Sequence, residues 1–281
     1  MSLNYDFEKL IQYVPELALH LKDSSQGHQT IDFSDSKALK LLNKALVFQG
    51  LKLSYWEFDD DNLTPGVPNR IQYIKLVKEW YFQYFKKNID SIIDIGTGSN
   101  LIYPLICSQL YNIKSVGVDS NKSSLDQANL IISKNNLADK ISLRFQDKPN
   151  SILNGIIEDH DSFECSVCNP PFYKNAQEAI EKQQLKNKRL NLEKETSSFS
   201  GVASELHYPG GELNFLKKYV RESQFYKDNI KVFTSLVSDK TNLRPLQVLI
   251  KKQAATSFKL KLLSSNKTQH ILVWFYQKEN E

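Results

Sequence analysis

The sequence predicts an α/β protein whose larger part is a doubly wound, mostly parallel sheet, preceded by a small α-rich module. Three observations carry this. From residue 91 onward, uninterrupted apolar stretches alternate with amphipathic helical ones; Asp94-Ile95-Gly96-Thr97-Gly98 closes the first of those stretches; and a segment bearing acids, prolines and a glycine follows residue 58. Apolar runs without polar alternation suit strands covered on both faces, as in a parallel sheet.

Taken in order, Tyr5 to His20 has the apolar spacing of a helix, Thr30 to Phe33 is a short alternating segment, and Asp35 to Phe48 is a helix with an acidic first turn. Leu51 to Phe58 is aromatic-rich and extended, and Asp59 to Pro68 has the composition of a linker. The expected boundary therefore separates residues 1–69 from residues 70–281. In the second part, strands are expected at Ser91 to Ile95, Lys114 to Val118, Ile141 to Phe145 and Phe163 to Cys168. Helices are expected at Ser99 to Leu110 and Asn121 to Asn135, with a helical turn near Ile152.

The alternation then breaks. Residues 173–208 are long, polar and rich in Lys, Asn, Gln and Ser, too long for an ordinary connection in a compact domain. Between Lys174 and Lys194 there are six basic residues and three acids. Because the segment leaves the end of the fourth strand, it is read as a substrate loop in preference to a disordered insertion. A helix at Gly211 to Ser223, a strand at Ile230 to Val237, a helix at Leu243 to Gln253 and strands at Ser257 to Leu263 and Ile271 to Tyr276 complete the pattern.

Composition removes several classes of function. Three cysteines in 281 residues, with no CxxC pair and no Cys/His cluster, exclude a disulfide framework and give no zinc site, so no metal is expected. Cys165 and Cys168 fall within an apolar strand and read as small hydrophobes. The N-terminus lacks a basic start followed by an apolar run, and no stretch is long enough to cross a bilayer; an intracellular, soluble monomer with no membrane partner is expected. The net charge is only +4, but between Lys240 and Lys278 there are eight basic residues and no acid. That one-signed segment is either a phosphate-binding face or a solvated surface.

Two short motifs carry chemistry. Gly96 and Gly98 end the first strand and open a helix, the position at which an open α/β sheet binds its ligand; their freedom at positive φ lets backbone approach the ligand closely. The third glycine of the dinucleotide fingerprint is absent, since position 101 is Leu, and no GxxxxGK[ST] string occurs. Asp119 closes the second strand, 21 residues after Gly98, where an acid accepts both hydroxyls of a ribose or, more plainly, caps the next helix. A nucleoside held through ribose without a phosphate site fits S-adenosylmethionine better than NAD or ATP.

Asn169-Pro170-Pro171-Phe172 follows the fourth strand. Alone, it reads equally as a turn that stops a strand. Two prolines remove two N–H donors, however, so the turn presents acceptors, the Asn169 side-chain oxygen and the Pro170 carbonyl, to a planar NH₂. The fourth strand of such a sheet lies beside the first. Asn169 would then face the cofactor, and Phe172 could stack on a purine, a contact worth about 1–3 kcal/mol. The base must be unpaired or flipped out to reach that turn.

These strings, with others along the chain, resemble the bacterial F-type 23S rRNA adenine-N6 methyltransferases and their eukaryotic relatives, which methylate U6 snRNA. The resemblance runs through Tyr5-Asp6-Phe7, Thr30 to Asp35, Leu42 to Leu46, Val67-Pro68-Asn69-Arg70, Asp94 to Gly98, Ile102-Tyr103-Pro104, Asn154 to Ile157, Cys168 to Phe172, Gly210-Gly211-Glu212 and Phe233 to Val237. It implies a class I, Rossmann-like, S-adenosylmethionine-dependent methyltransferase domain with a seven-stranded, mostly parallel sheet, behind an N-terminal RNA-binding module. It further implies that Arg70 reaches the methionine carboxylate and that Gly210 to Glu212 starts a helix shaping the site. The cofactor set is then Arg70, Asp94, Gly96, Gly98, Asp119 and Asn169, and the catalytic turn is Asn169, Pro170, Pro171 and Phe172. Lys182, Lys186, Lys188, Arg189, Lys251 and Lys252 are the expected RNA contacts. Large-subunit rRNA is the leading substrate and U6 snRNA the alternative, with a cytoplasmic location in a bacterium and a nuclear one in a eukaryote. A non-catalytic RNA-binding protein and a protein-amide methyltransferase are the remaining readings.

Overall fold

The structure, a computed structural model, describes residues 5–24, 27–60, 62–148, 150–171, 208–263 and 268–277. Helix α1 (Phe7–Tyr13) is capped by Asp6, whose carboxylate accepts the Lys9 N–H. The helix expected to reach His20 stops there because Pro15 offers no N–H and disfavours helical geometry at Val14; a 3₁₀ turn, Pro15–His20, continues the chain. Strands β1 (Leu21–Asp23) and β2 (Gln29–Ile31) form a small antiparallel ribbon. Helix α2 (Ser36–Leu51) follows, with Asp35 acting as its N-cap on the Lys37 N–H and not as part of an acidic first turn. Phe7, Leu10, Val14, Leu17, Ile31, Ala38, Leu42 and Ala45 form a core of their own in this module.

The second half of α2 belongs elsewhere. Val47 and Leu51 join Leu53, Trp56 and Phe58 in the main core, and residues 52–60 and 62–66 form a strap between α2 and the next helix. The Asn135 side chain, at the end of helix α5 (Lys122–Lys134), accepts the N–H groups of Ser54 and Tyr55 and donates to the Tyr55 carbonyl. Gln127 bonds both the N–H and the carboxylate of Asp59. Asn43 accepts the Val67 N–H, where helix α3 (Val67–Phe85) begins. The sequence reading assigns no element between residues 69 and 91; α3 fills most of that gap, entering through Pro68 in its first turn.

Strands β3 (Ser91–Ile95), β4 (Lys114–Asp119), β5 (Ile141–Phe145), β6 (Phe163–Cys168), β7 (Ile230–Val237), β8 (Ala255–Leu263) and β9 (Thr268–Tyr276) form a seven-stranded sheet in the order β5-β4-β3-β6-β7-β9-β8. The first five are parallel; β9 runs antiparallel to β7 and pairs with β8 as a hairpin. Alternate strand residues face opposite layers. Ile92, Cys165, Val232 and Val273 pack under α3, α4 (Ile102–Tyr111) and α5, while Ile93, Ile95, Phe233 and Trp274 pack under α6 (Gly211–Ser223) and α7 (Leu243–Lys252). Among the described residues no helix is long and apolar enough to cross a membrane.

Candidate active site

The two sequence motifs meet because β3 and β6 are neighbours. Ile95 pairs with Cys168 in parallel register, so the loops that begin at Gly96 and Asn169 leave the same edge of the sheet side by side. On the other flank, the N–H groups of Gly96 and Thr97 donate to the Val118 carbonyl at 2.9 and 2.8 Å. Asp119 then holds the loop, accepting the Gly98 N–H through Oδ2 at 2.9 Å and the Asn121 N–H through Oδ1 at 2.9 Å. Burial raises the Asp119 carboxyl above its ordinary value, and those backbone N–H groups oppose the rise.

Gly96 and Gly98 have φ of +77° and +63°, where a side chain is strained, and a Cβ on Gly96 would meet no protein atom within 4 Å. The loop therefore leaves open floor. Helix α4 starts at Ile102, three residues later than its spacing predicts, because Leu101 takes a left-handed conformation and the Asn100 side chain accepts the Ile102 N–H. Above the floor is a cleft of about 780 Å³ bordered by Arg70, Gly96, Gly98, Asp119, Asn169, Pro170 and Pro171.

Asp94 lies behind this cleft. It is fully buried, and neither carboxylate oxygen has a hydrogen-bond partner among the described residues. Desolvation pushes its carboxyl up to about 7; the Thr97 hydroxyl and the Arg70 charge act in the other direction, and Asp119 adds to the rise. The Asn169 Oδ1 is likewise buried with no partner among the described residues. Arg70 reaches the cleft from the first turn of α3, donating through Nη1 to the Tyr103 hydroxyl at 3.1 Å with its guanidinium over the Tyr103 ring.

Phe172, Lys182, Lys186, Lys188 and Arg189 lie outside the described residues. Lys251 and Lys252 occupy the last turn of α7, just before Ala255, which pairs with Tyr276. The end of β7 that adjoins the cleft lies instead beside His270, opposite Lys261. At about 3.3 Å per residue the six steps from 255 to 261 span about 20 Å, so α7 carries these two lysines to the edge away from the cleft. Sequence reasoning passed over Tyr103, Phe145, Gln146, Tyr208 and Phe215, which also line it. Phe145 and Gln146 could have been found by the rule that located Asp119, since they close β5 at the same edge. Glu212 is a clasp: its carboxylate accepts the N–H groups of Ser238 and Asp239 and the Asn242 amide, tying α6 to the end of β7.

The family described as RNA methyltransferase matches residues 2–278. This chain belongs to that family. It is 33% identical over 294 residues to the ribosomal RNA large subunit methyltransferase F of Psychrobacter sp. (strain PRwf-1), covering 97% of this chain and 90% of that protein. It is 35% identical over 289 residues to the protein of the same name from Flavobacterium johnsoniae, covering 99% and 92%. In fold it is similar to the catalytic domain of human METTL16 in complex with the MAT2A 3′UTR hairpin 1, with a TM-score of 0.82 at 23% identity over 99% of this chain and 93% of that one. The N-terminal domain of human METTL16 in complex with SAH gives 0.79 at 21% identity over 98% and 96%.

For an RNA methyltransferase, the donor set fits S-adenosylmethionine. An orphaned buried carboxylate at Asp94 suits a cationic ligand, Arg70 suits a carboxylate, and each Asp119 oxygen keeps a lone pair for a ribose hydroxyl. No phosphate-binding glycine loop competes with that assignment.

Proposed function

We propose that this RNA methyltransferase transfers a methyl group from S-adenosylmethionine to the N6 amine of an unpaired adenosine in large-subunit rRNA. One observation carries the reading: Asn169, whose side-chain oxygen is buried and unpartnered among the described residues, starts its loop directly beside Gly96. A buried acceptor without a donor is costly unless a ligand supplies one, and an exocyclic amine has two hydrogens to give.

The bound cofactor supplies an electrophilic methyl on a sulfonium. Asn169 Oδ1 and the Pro170 carbonyl accept the two amine hydrogens and aim the nitrogen lone pair at that methyl. The cofactor would supply the methyl with sulfur as the leaving group, which keeps the bonding pair, and the methylated amine would release its extra proton to water. No strong base is needed, and alignment can supply about 7–11 kcal/mol of the barrier reduction. Arg70 and Asp119 fix the two ends of the cofactor, with Gly96 and Gly98 leaving room between them.

RNA must be gripped beyond the target base. Residues 1–69 and the loop 173–208 are assigned that task, together with a basic edge that includes Lys240, Lys259 and Lys261. The two β8 lysines are exposed and lie on one face, and Lys261 pairs across the hairpin with His270. Burial and the charges of Lys259, Lys261 and Lys240 hold the His270 imidazole below its ordinary value, which supports their gathering there.

Purified protein incubated with methyl-labelled cofactor and deproteinised 23S rRNA, followed by nucleoside analysis, tests the proposal. Labelled N6-methyladenosine is expected; label in another nucleoside, or in U6 snRNA and not in rRNA, would overturn it.

A further inference from the structure

Helix α3 carries Arg70 to the cleft and, one turn later, Tyr73 beneath the end of β6. There the sheet opens. The β3–β6 pairing continues to Ile95 and Cys168, but the β6–β7 pairing runs through Phe163–Ile230, Cys165–Val232 and Ser166–Phe233 and then stops, two residues before Cys168. Side-chain hydroxyls fill the gap. The Cys168 N–H donates to the Tyr73 hydroxyl oxygen at 3.4 Å, Tyr73 and Thr234 share a 2.7 Å hydrogen bond, and the Thr234 hydroxyl donates to the Ser166 carbonyl at 2.7 Å. The Ser235 hydroxyl stands 3.5 Å from the Cys168 carbonyl.

Proton directions in this chain are fixed. A carbonyl only accepts, so the single Thr234 proton goes to Ser166; Tyr73 must then donate to Thr234, which leaves the Tyr73 oxygen to accept the Cys168 N–H. Tyr73, Thr234, Ser235 and Ser166 are fully buried, and the Tyr219 hydroxyl donates to Ser166 Oγ at 2.7 Å from helix α6. Both helical layers thus clamp the last three residues before Asn169.

We infer that Tyr73 and Thr234 are positioning residues for methyl transfer, their hydroxyls replacing the missing β6–β7 ladder so that the end of β6 holds Asn169 at a fixed height beside the cofactor loop. This rests on Asn169 as the amine-holding group.

The test uses Tyr73→Phe, Thr234→Val and Thr234→Ser in the full chain, with cofactor affinity by calorimetry, single-turnover transfer to rRNA, and exchange of the Cys168 amide by NMR. Tyr73→Phe and Thr234→Val should leave cofactor affinity nearly unchanged and slow transfer by about 10–100-fold, the scale of a small misplacement of reacting groups. Thr234→Ser, which keeps the hydroxyl, should stay near the parent rate. Cys168 exchange should accelerate at least ~10-fold in Tyr73→Phe while amides of β4 do not change. An unchanged transfer rate, a slowing matched by an equal loss of cofactor affinity, or a Thr234→Ser variant as slow as Thr234→Val would overturn the inference. Unaltered Cys168 exchange would do so even if no RNA were methylated. Accelerated Cys168 exchange in Tyr73→Phe, with a parent protein that transfers nothing to RNA, would uphold the hydroxyl chain and sink the proposed function instead.

Discussion

Asp119 receives the Gly98 N–H on one carboxylate oxygen and the Asn121 N–H on the other, each at 2.9 Å. A single side chain therefore sets the glycine loop, starts α5 and still offers a lone pair on each oxygen to the cleft. Asp119→Ala should weaken S-adenosylmethionine binding at least about 10-fold, since each charge-assisted bond lost is worth roughly 1.5–3 kcal/mol. Calorimetric titration checks this, and a change below about threefold would remove Asp119 from the cofactor site.

Trp56 links the strap to the same loop. Its indole N–H donates to the Asn100 carbonyl at 2.8 Å, and the Asn100 amide donates to the Leu63 carbonyl at 3.2 Å. Trp56→Phe keeps an aromatic body but leaves the Asn100 carbonyl without its donor, which should cost about 1–3 kcal/mol of stability. Because Leu63 and Asn100 both line the cleft, cofactor affinity should fall as well. Denaturant unfolding with and without cofactor measures both effects; loss of stability with intact affinity would separate the strap from the site.

Asp94 makes the unliganded protein sensitive to pH. Its carboxyl moves from 3.8 to about 7 on burial, so the folded chain binds this proton more tightly than the unfolded chain does. The contribution to stability is therefore fully present below about pH 4 and fades as pH rises through about 7. At 1.36 kcal/mol per pH unit it amounts to roughly 4 kcal/mol. Asp94→Asn should abolish that part of the pH dependence and be more stable than the parent chain at pH 8. Urea unfolding at pH 5 and pH 8 decides it: an unchanged difference between the two pH values in the variant would refute the role of Asp94.

Where local chemistry agreed with the fold, the sequence could be read. Helix α5 has a capping Asn121 before it and Asn135 after it, and both ends fall where the spacing puts them. Strands β3 and β6 are legible because most of their residues are apolar and are buried on both faces of the sheet. Helix α3 was illegible for the opposite reason. Tyr73, Ile74, Val77 and Tyr81 are buried at helical spacing while Lys75, Glu79 and Gln83 are exposed, but the exposed Phe82 and Tyr84 extend the aromatic run beyond that face and blur the period. Residues 59–68 have the composition of a linker, but composition does not record that Gln127 and Asn43 wait on two other helices to bond them. In the site, Gly96, Gly98, Asp119 and Asn169 were readable because each sits at a strand end, whereas Tyr73 and Thr234 act through a gap in one ladder, which only the paired register reveals.

The basic C-terminal segment needs the hairpin to be interpreted. As a run of charge, Lys251 and Lys252 are equivalent to Lys259 and Lys261; in the fold, α7 ends at the edge away from the cleft, whereas β8 carries Lys259 to its middle and Lys261 toward the cleft edge, opposite His270. Lys259→Glu with Lys261→Glu should therefore weaken rRNA binding strongly and flatten its salt dependence, by a slope of about 0.7–0.9 for each phosphate that is no longer neutralised. Lys251→Glu with Lys252→Glu changes the net charge equally and serves as the control, because any general electrostatic attraction falls by the same amount. Binding isotherms at several salt concentrations compare the pairs. Equal losses from both would mean that the whole charge of the domain attracts RNA with no preferred edge, whereas loss confined to the β8 pair would trace the RNA backbone from the Asn169 loop, past the end of β7, to the hairpin.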